Sequence, residues 1–271
     1  MQSAILLERR TPLASDSEVS DLLVLWQHPR TRAIVPIGRF SRTGDSFVFA
    51  YTRAAGAVAG FRPLLGLGDL HGTYRGTKIP AVFNQRVMSP DRPDYEDYIA
   101  ALGLTAERAT PWEQIVESGG RRAGDTLQFM PVPLVNSGWL HTRFLANGVS
   151  HISEGSRQLS DRVVSVAKKE QERALSSLMA DDAVLLEPEF ANAKDPNAIV
   201  LTSEGVPLGW VPYALSASLR PLAERGDCWA RVHRINGPRT PDHLRLVLNL
   251  DIPVPDDFVL DPEGNWEPIG P

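Results

Sequence analysis

"ANAKDPNAIVLTSEGVPLGWVPYALSASL", residues 191–219, is the most informative stretch of this chain. Asp195-Pro196 starts a turn, because proline presets the backbone and the Asp carboxylate accepts a neighbouring amide proton. Asn197 is suited to the same task. The apolar run Ala198–Leu201 reads as a strand, Ser203-Glu204-Gly205 as a turn, and Leu208–Val211 as a second strand. A helix over roughly 212–224 follows, with Pro212 near its start. Gly209 next to Trp210 signals an aromatic ring beside a close backbone approach. On residue chemistry alone the turn is the better account of Asp195 and Asn197, with a binding site as the alternative.

The flanking segments extend the pattern. "FLANGVSHIS" (144–153) continues a short strand that enters Gly148, and "KKEQERALSSLMADD" (168–182) reads as a helix that brings Leu175 and Leu178 together. Further strands are expected at Val184–Leu186, 228–235 and Leu244–Leu250, the last two joined by a turn through "NGPRTPDH". Short strands with few helices predict a small barrel-like or α+β domain over about 140–250, with one or two helices, in a chain of α+β class; of the two, the β-barrel-like form is the expectation. Residues 251–271 hold six acidic side chains and no Lys or Arg, so an acidic, partly extended tail is expected there.

The first half reads as a mixed β/helical domain over 21–136, after a flexible N-terminus of about 20 residues. Strands are expected at Leu22–Trp26, Ala33–Ile37 and in "GDSFVFAYT", where Phe47, Phe49 and Tyr51 share one face. Residues 56–72 look irregular. Pro80 and Pro93 open two helical pieces, and Thr110-Pro111 with Glu113 forms a capping box that Gly119-Gly120 ends. "LQFMPVPL" followed by "NSGW" (136–139) looks like a boundary.

Bulk properties narrow the function. The chain has 271 residues, 42% hydrophobic and 23% charged, with a formal net charge of −5. That balance argues against a strongly basic nucleic-acid wrapper while leaving room for a local patch. The single cysteine, Cys228, excludes an intrachain disulfide and a Cys-cluster metal site; it reads as a packed thiol. "MQSAILLERR" lacks the long apolar region of a signal peptide, and no apolar run has membrane-spanning length. A cytoplasmic protein without a membrane partner is the expectation.

The chain carries no phosphate loop, no dinucleotide glycine fingerprint, no His-Glu-x-x-His and no Gly-x-Ser-x-Gly. The histidines are scattered, so no metal or cofactor is expected, and the reading is non-enzymatic. Arg121-Arg122 follow two glycines and suit either a helix stop with solvated charge or a phosphate clamp. Arg231 and His233 share a strand face by the two-residue period, and with Arg234 they suit a nucleic-acid backbone. Arg239 and Arg245 lie in the adjoining turn and on the return strand. A solvated sheet face is the plainer account of this cluster.

Glu187-Pro188, Asp195-Pro196-Asn197-Ala198-Ile199 and Gly209-Trp210-Val211-Pro212, with "FLANGVSHIS", together resemble the HIRAN domain over about 140–250. The resemblance implies recognition of single-stranded DNA, at a 3′ end. It implies that Asp195 faces the terminal sugar hydroxyl, that Asn197 braces the pocket or contacts the strand, and that His151 stands near a base-stacking position. Lys194 replaces an aromatic residue of the family pattern, and Ser150-His151-Ile152 replaces a tyrosine pair. Gly148, Gly209, Trp210 and Pro212 take structural roles. "FVFAYT", "FRPLLGLGDL", "PAVFNQRVMS" and "DYEDYIAALGL" resemble the N-terminal subdomain of HipA-like toxin kinases, without the kinase itself. The joint expectation is a two-part bacterial protein that binds DNA through its second half and reaches a protein partner through its first. The alternative is a non-catalytic interaction module of a toxin–antitoxin or phage-defence system.

Overall fold

Leu22, Leu23, Val24 and Leu25 are each at most 3% exposed, the mark of a strand covered on both faces. The computed structural model describes residues 19–122, 124–226 and 228–270. The flexible segment expected at the N-terminus therefore lies outside the described residues up to residue 18. The four leucine and valine residues belong to β1 (Asp21–Gln27), which pairs antiparallel with β2 (Ile34–Thr43) and with β5 (Leu127–Pro131). β3 (Ser46–Tyr51) and β4 (Thr73–Gly76) complete a five-stranded sheet of order β4-β3-β2-β1-β5.

One face of that sheet packs Leu22 and Val24 with Phe40, Phe49, Tyr51 and Phe129. Trp112 and Ile115 of α4 (Pro111–Ser118) close this core. Thr110 caps α4 by accepting a hydrogen bond from the Glu113 amide, and Gly119 ends it in the left-handed region at φ 64°. Three shorter helices, α1 (Arg53–Ala57), α2 (Ala81–Asn84) and α3 (Tyr95–Ala101), lie along the chain before it. The opposite face sends Leu23, Leu25 and Met130 into the core of the second sheet.

The second sheet is entirely antiparallel and has seven strands. In chain order they are β6 (Leu134–Asn136), β7 (Trp139–Leu145), β10 (Ala183–Pro188), β11 (Ile199–Ser203), β12 (Val206–Trp210), β13 (Trp229–Ile235) and β14 (Leu246–Pro253). A two-stranded ribbon, β8 (Arg157–Gln158) with β9 (Val163–Val164), stands apart. Two helices, α5 (Lys168–Ser177) and α6 (Tyr213–Ala223), bury Leu175, Leu215 and Leu219 against the sheet.

The expected β-barrel-like domain is not what forms: the α+β character holds, but no sheet closes. The strand order β12-β11-β10-β13-β14-β7-β6 leaves β12 and β6 as free edges. Past β7, Asn147 makes an isolated bridge to Trp210, and no ladder extends it. The physical reason lies in how the β12 edge is covered. Gln171 of α5, 4% exposed, donates its amide to Leu208 O at 3.2 Å and to Val149 O at 2.7 Å. A side chain of α5 thus satisfies a carbonyl on an edge that closure would otherwise have served, and ties that edge to a short 3₁₀ turn (Val149–Glu154).

Two further differences follow from hydrogen bonding. Residues 136–139 are a hairpin turn between β6 and β7, with Ser137 at φ 52° and Gly138 at φ 75°. The passage between sheets occurs earlier, across Val132-Pro133. The acidic C-terminal segment runs without helix or strand beyond Pro253, yet it is anchored. Trp266 is 8% exposed in the second core, Ile269 donates its amide to Tyr51 O at 2.8 Å, and Glu267 pairs with Arg53 at 2.7 Å. Among the described residues no helix is long and apolar enough to cross a membrane.

Candidate nucleic-acid interface

Residues 190–197 form a loop between β10 and β11 whose base is clamped. The Glu189 amide donates to Ala198 O at 2.9 Å, and Arg220 of α6 donates to Glu189 O at 2.9 Å and Ala198 O at 3.1 Å. Inside the loop, Asn192 Oδ1 accepts the amides of Lys194 and Asp195 at 2.9 and 3.1 Å. Asp195 Oδ1 accepts the Asn197 amide at 2.8 Å, the Asx arrangement an Asp-Pro turn favours. The second carboxylate oxygen of Asp195 makes no protein hydrogen bond among the described residues.

The loop rests on a buried carboxylate. Glu189 is 4% exposed, and its Oε2 accepts Trp210 Nε1–H at 2.7 Å and Asn192 Nδ2–H at 2.7 Å. Its other oxygen faces Arg157 Nε at 3.8 Å. The Arg157 guanidinium lies over the Trp210 ring, 4.8 Å from the centroid, and donates to His151 O at 3.0 Å. One carboxylate therefore joins the loop, the end of β12 and the 3₁₀ turn.

Glycine is required at two points of this junction. Gly148 has φ 62°, and a β-carbon there would lie 2.6 Å from the Trp210 ring. A β-carbon on Gly209 would lie 2.9 Å from Asn147 O. Pro212 precedes α6 at its N-cap.

Around this frame several side chains face solvent. His151 is exposed and pairs with Glu154 at 2.9 Å. That contact, with Lys194 and Arg157 nearby, holds the Glu154 carboxyl below its usual range. Phe190 and Tyr213 are each 41% exposed. Arg220 stacks on the Phe190 ring at 4.6 Å. Burial raises the Tyr213 phenol pKa, and the charge of Asp195 adds to the shift. His151, Lys194, Asp195 and Asn197 thus belong to one end of the second sheet.

Arg231, His233 and Arg234 do not join them. Ile199 opposes Pro188 at one end of β10, whereas Arg231 opposes Ala183 at the other. Five residues of strand, about 17 Å, separate the two points. The expected sharing of a face also stops at His233, because the register between β13 and β14 skips from Val232 to Arg234. His233 is the extra residue of that bulge. Burial lowers its pKa, with Arg143 adding to the shift and Glu117 opposing it. Arg234 pairs with Glu117 at 3.1 Å and its side chain is only 14% exposed. Arg231 alone is exposed, donating to Asp181 O at 3.1 Å.

Glu189, Arg157, Phe190 and Tyr213 carry no motif that would single them out. The nearest signal is the second acid in Glu187-Pro188-Glu189, placed where a strand enters the core. Cys228 is 4% exposed, and burial pushes its thiol pKa up to about 11. Among the described residues no group of three or more His, Cys, Asp or Glu side chains is placed to hold a metal ion. No protein-family model matches the chain, and no curated protein matches it at a significant level.

Proposed function

We propose that the 190–197 loop, with the 3₁₀ turn and the start of α6, binds the 3′ end of single-stranded DNA in the manner the HIRAN-like motif implies. The observation that carries this reading is a loop braced by hydrogen bonds at its base and within it, with solvent-facing aromatic and cationic groups beside it. Phe190, Tyr213 and His151 offer ring faces for bases, and Lys194 offers a cation for phosphate. The unpartnered oxygen of Asp195 is free to accept a hydrogen bond from a terminal sugar hydroxyl. Arg231, at the far end of β10, is not part of this site.

Fluorescence anisotropy with labelled strands whose 3′ ends are free or blocked tests the proposal. Expected are preference for the free end, affinity that falls as salt rises, and loss of end preference in Asp195→Asn. That variant retains the oxygen that accepts the Asn197 amide. Binding indifferent to salt and strand end, or absent at micromolar protein, overturns the proposal.

A second reading, docking of a protein partner, draws on a separate observation. Leu185 and Trp229 oppose each other on β10 and β13 while 39% and 41% exposed. They line a shallow depression of about 290 Å³ with Arg162 and Glu187. Loss of partner binding on Trp229→Ser, with DNA binding intact, distinguishes this reading from the first.

A further inference from the structure

Arg121 is the exception among the described arginines withdrawn from solvent. The other buried and half-buried arginines each meet a carboxylate, the longest contact being Arg157 to Glu189 at 3.8 Å. Arg121 has only the side-chain oxygen of Gln128, which accepts from its Nε at 2.9 Å. Its two terminal amino groups have no protein partner among the described residues. A guanidinium taken out of water without a counter-charge is unfavourable, and proteins resolve this by supplying an anion.

The backbone leaves Arg121 little choice of direction. Gly119 and Gly120 take φ 64° and 56° after α4, and the carbonyls at this helix end are occupied elsewhere. Gly119 O accepts the Phe129 amide at 2.8 Å, and Gly120 O accepts Arg86 Nη1 at 2.9 Å. Arg121 lines a cleft between the two sheets, whereas Arg122 turns outward to Gln85 O at 3.1 Å.

The cleft has a volume of about 40 Å³, several times the roughly 10–15 Å³ that one water needs. Arg143, Gln128, Asn147 and Tyr213 also line it. Glu117 is its acid, and both of its oxygens are engaged, by Arg143 at 3.4 Å and Arg234 at 3.1 Å. Glu117 is thus shared by two guanidiniums, while Arg121 lines the same cleft without a carboxylate of its own. The Arg121 charge also reaches His243, whose pKa burial lowers first and Arg121 lowers further.

We infer that this cleft is a binding site for a phosphate-type oxyanion, with Arg121 as its principal ligand and Arg143 as its second cation. Among the polar residues that line it, Arg121 comes from the segment after α4, Gln128 from β5, Arg143 from β7 and Tyr213 from the start of α6. A tetrahedral group presents oxygens in several directions and suits that spread better than a planar carboxylate does; the fork of Arg121 engages two of those oxygens. Tyr213 borders both this cleft and the 190–197 site, but Arg121 and Arg143 belong to the cleft alone, and oxyanion binding in the cleft does not depend on DNA binding at the loop.

Calorimetric titration of the full chain with inorganic phosphate, at constant ionic strength in chloride, tests the inference. Expected is a dissociation constant of about 1 mM or tighter, weakened about tenfold or more in Arg121→Gln and unchanged in Arg122→Gln. A parallel titration compares one oligonucleotide with and without a 5′-phosphate. Tighter binding of the phosphorylated form that Arg121→Gln abolishes assigns the source of the anion to a strand end; equal binding of both forms assigns it to free phosphate. No phosphate heat with the wild-type chain, or equal affinity in wild type and Arg121→Gln, overturns the inference. Should Arg121→Gln fail to fold, Arg121→Lys keeps the charge without the fork, and wild-type affinity in that variant counts against the inference.

Discussion

Replacing Glu189 by glutamine changes the side-chain volume little and removes one buried charge. In the wild-type chain a single oxygen accepts from Trp210 Nε1 and Asn192 Nδ2, both at 2.7 Å, while the other faces Arg157 at 3.8 Å. The substituted side chain would keep its oxygen toward the two donors and turn an amide donor toward a cation. Each bond then passes from charge-assisted to neutral, a loss of about 1 kcal/mol apiece. Losing the counter-charge of Arg157, itself withdrawn from water, adds about 1 kcal/mol more. The total of about 3 kcal/mol corresponds to a fall in melting temperature of roughly 6–10 °C for a chain of this size. Thermal unfolding followed by circular dichroism reads it directly. Trp210→Phe removes only the indole donor, so its cost on the Glu189→Gln background is smaller by about 1 kcal/mol than on the wild type. A melting temperature within about 2 °C of wild type, or strict additivity of the two substitutions, would refute the role given to Glu189.

Three other outcomes follow from the same geometry. Gly148→Ala sets a left-handed backbone against a β-carbon 2.6 Å from the Trp210 ring, and about 2 kcal/mol or more of stability is lost in urea unfolding; Gly205→Ala, at φ 80° with open space around it, loses only about 1 kcal/mol of backbone strain. Burial, helped by the Arg121 charge and opposed by Asp242, pushes the His243 pKa down to about 4 from 6.5. The unfolded chain therefore takes up a proton that the folded chain refuses. This contribution is complete above about pH 6.5 and is lost as pH falls toward 4, by about 2 kcal/mol once the water reaching the half-buried ring is allowed for. His243→Asn flattens that part of the pH–stability profile. Truncation after Pro255 strips Trp266 and Ile269 from the two cores, costing about 3 kcal/mol or more and exposing apolar surface that binds a hydrophobic dye.

Local chemistry is readable where one residue type dictates one conformation. Thr110-Pro111 and Gly119 bound α4, Asp195-Pro196 makes its Asx turn, and Glu204-Gly205 supplies the two left-handed residues between β11 and β12. The run Leu22–Leu25 is readable as a strand, but burial on both faces is not, since periodicity cannot show which sheet will cover the second face. Closure of the second sheet is wrongly expected for a related reason. Whether an edge pairs or is covered depends on a single side chain, Gln171, thirty-seven residues from the carbonyl it satisfies. The grouping of Arg231 and His233 by period two fails at a bulge that no glycine or proline marks. Glu189 and Arg121 escape notice because their importance lies in what stands beside them, a set of donors in one case and a missing carboxylate in the other.

Hydrogen exchange of the full chain, with and without a single-stranded oligonucleotide bearing a free 3′ hydroxyl, tests the central claim most directly. The account predicts slowed exchange of amides in 190–197, in the 3₁₀ turn at 149–154 and at the start of α6. It predicts no change along β13 from Arg231 to Arg234. Protection confined to β13, or no protection at an oligonucleotide concentration that saturates the anisotropy signal, would contradict it.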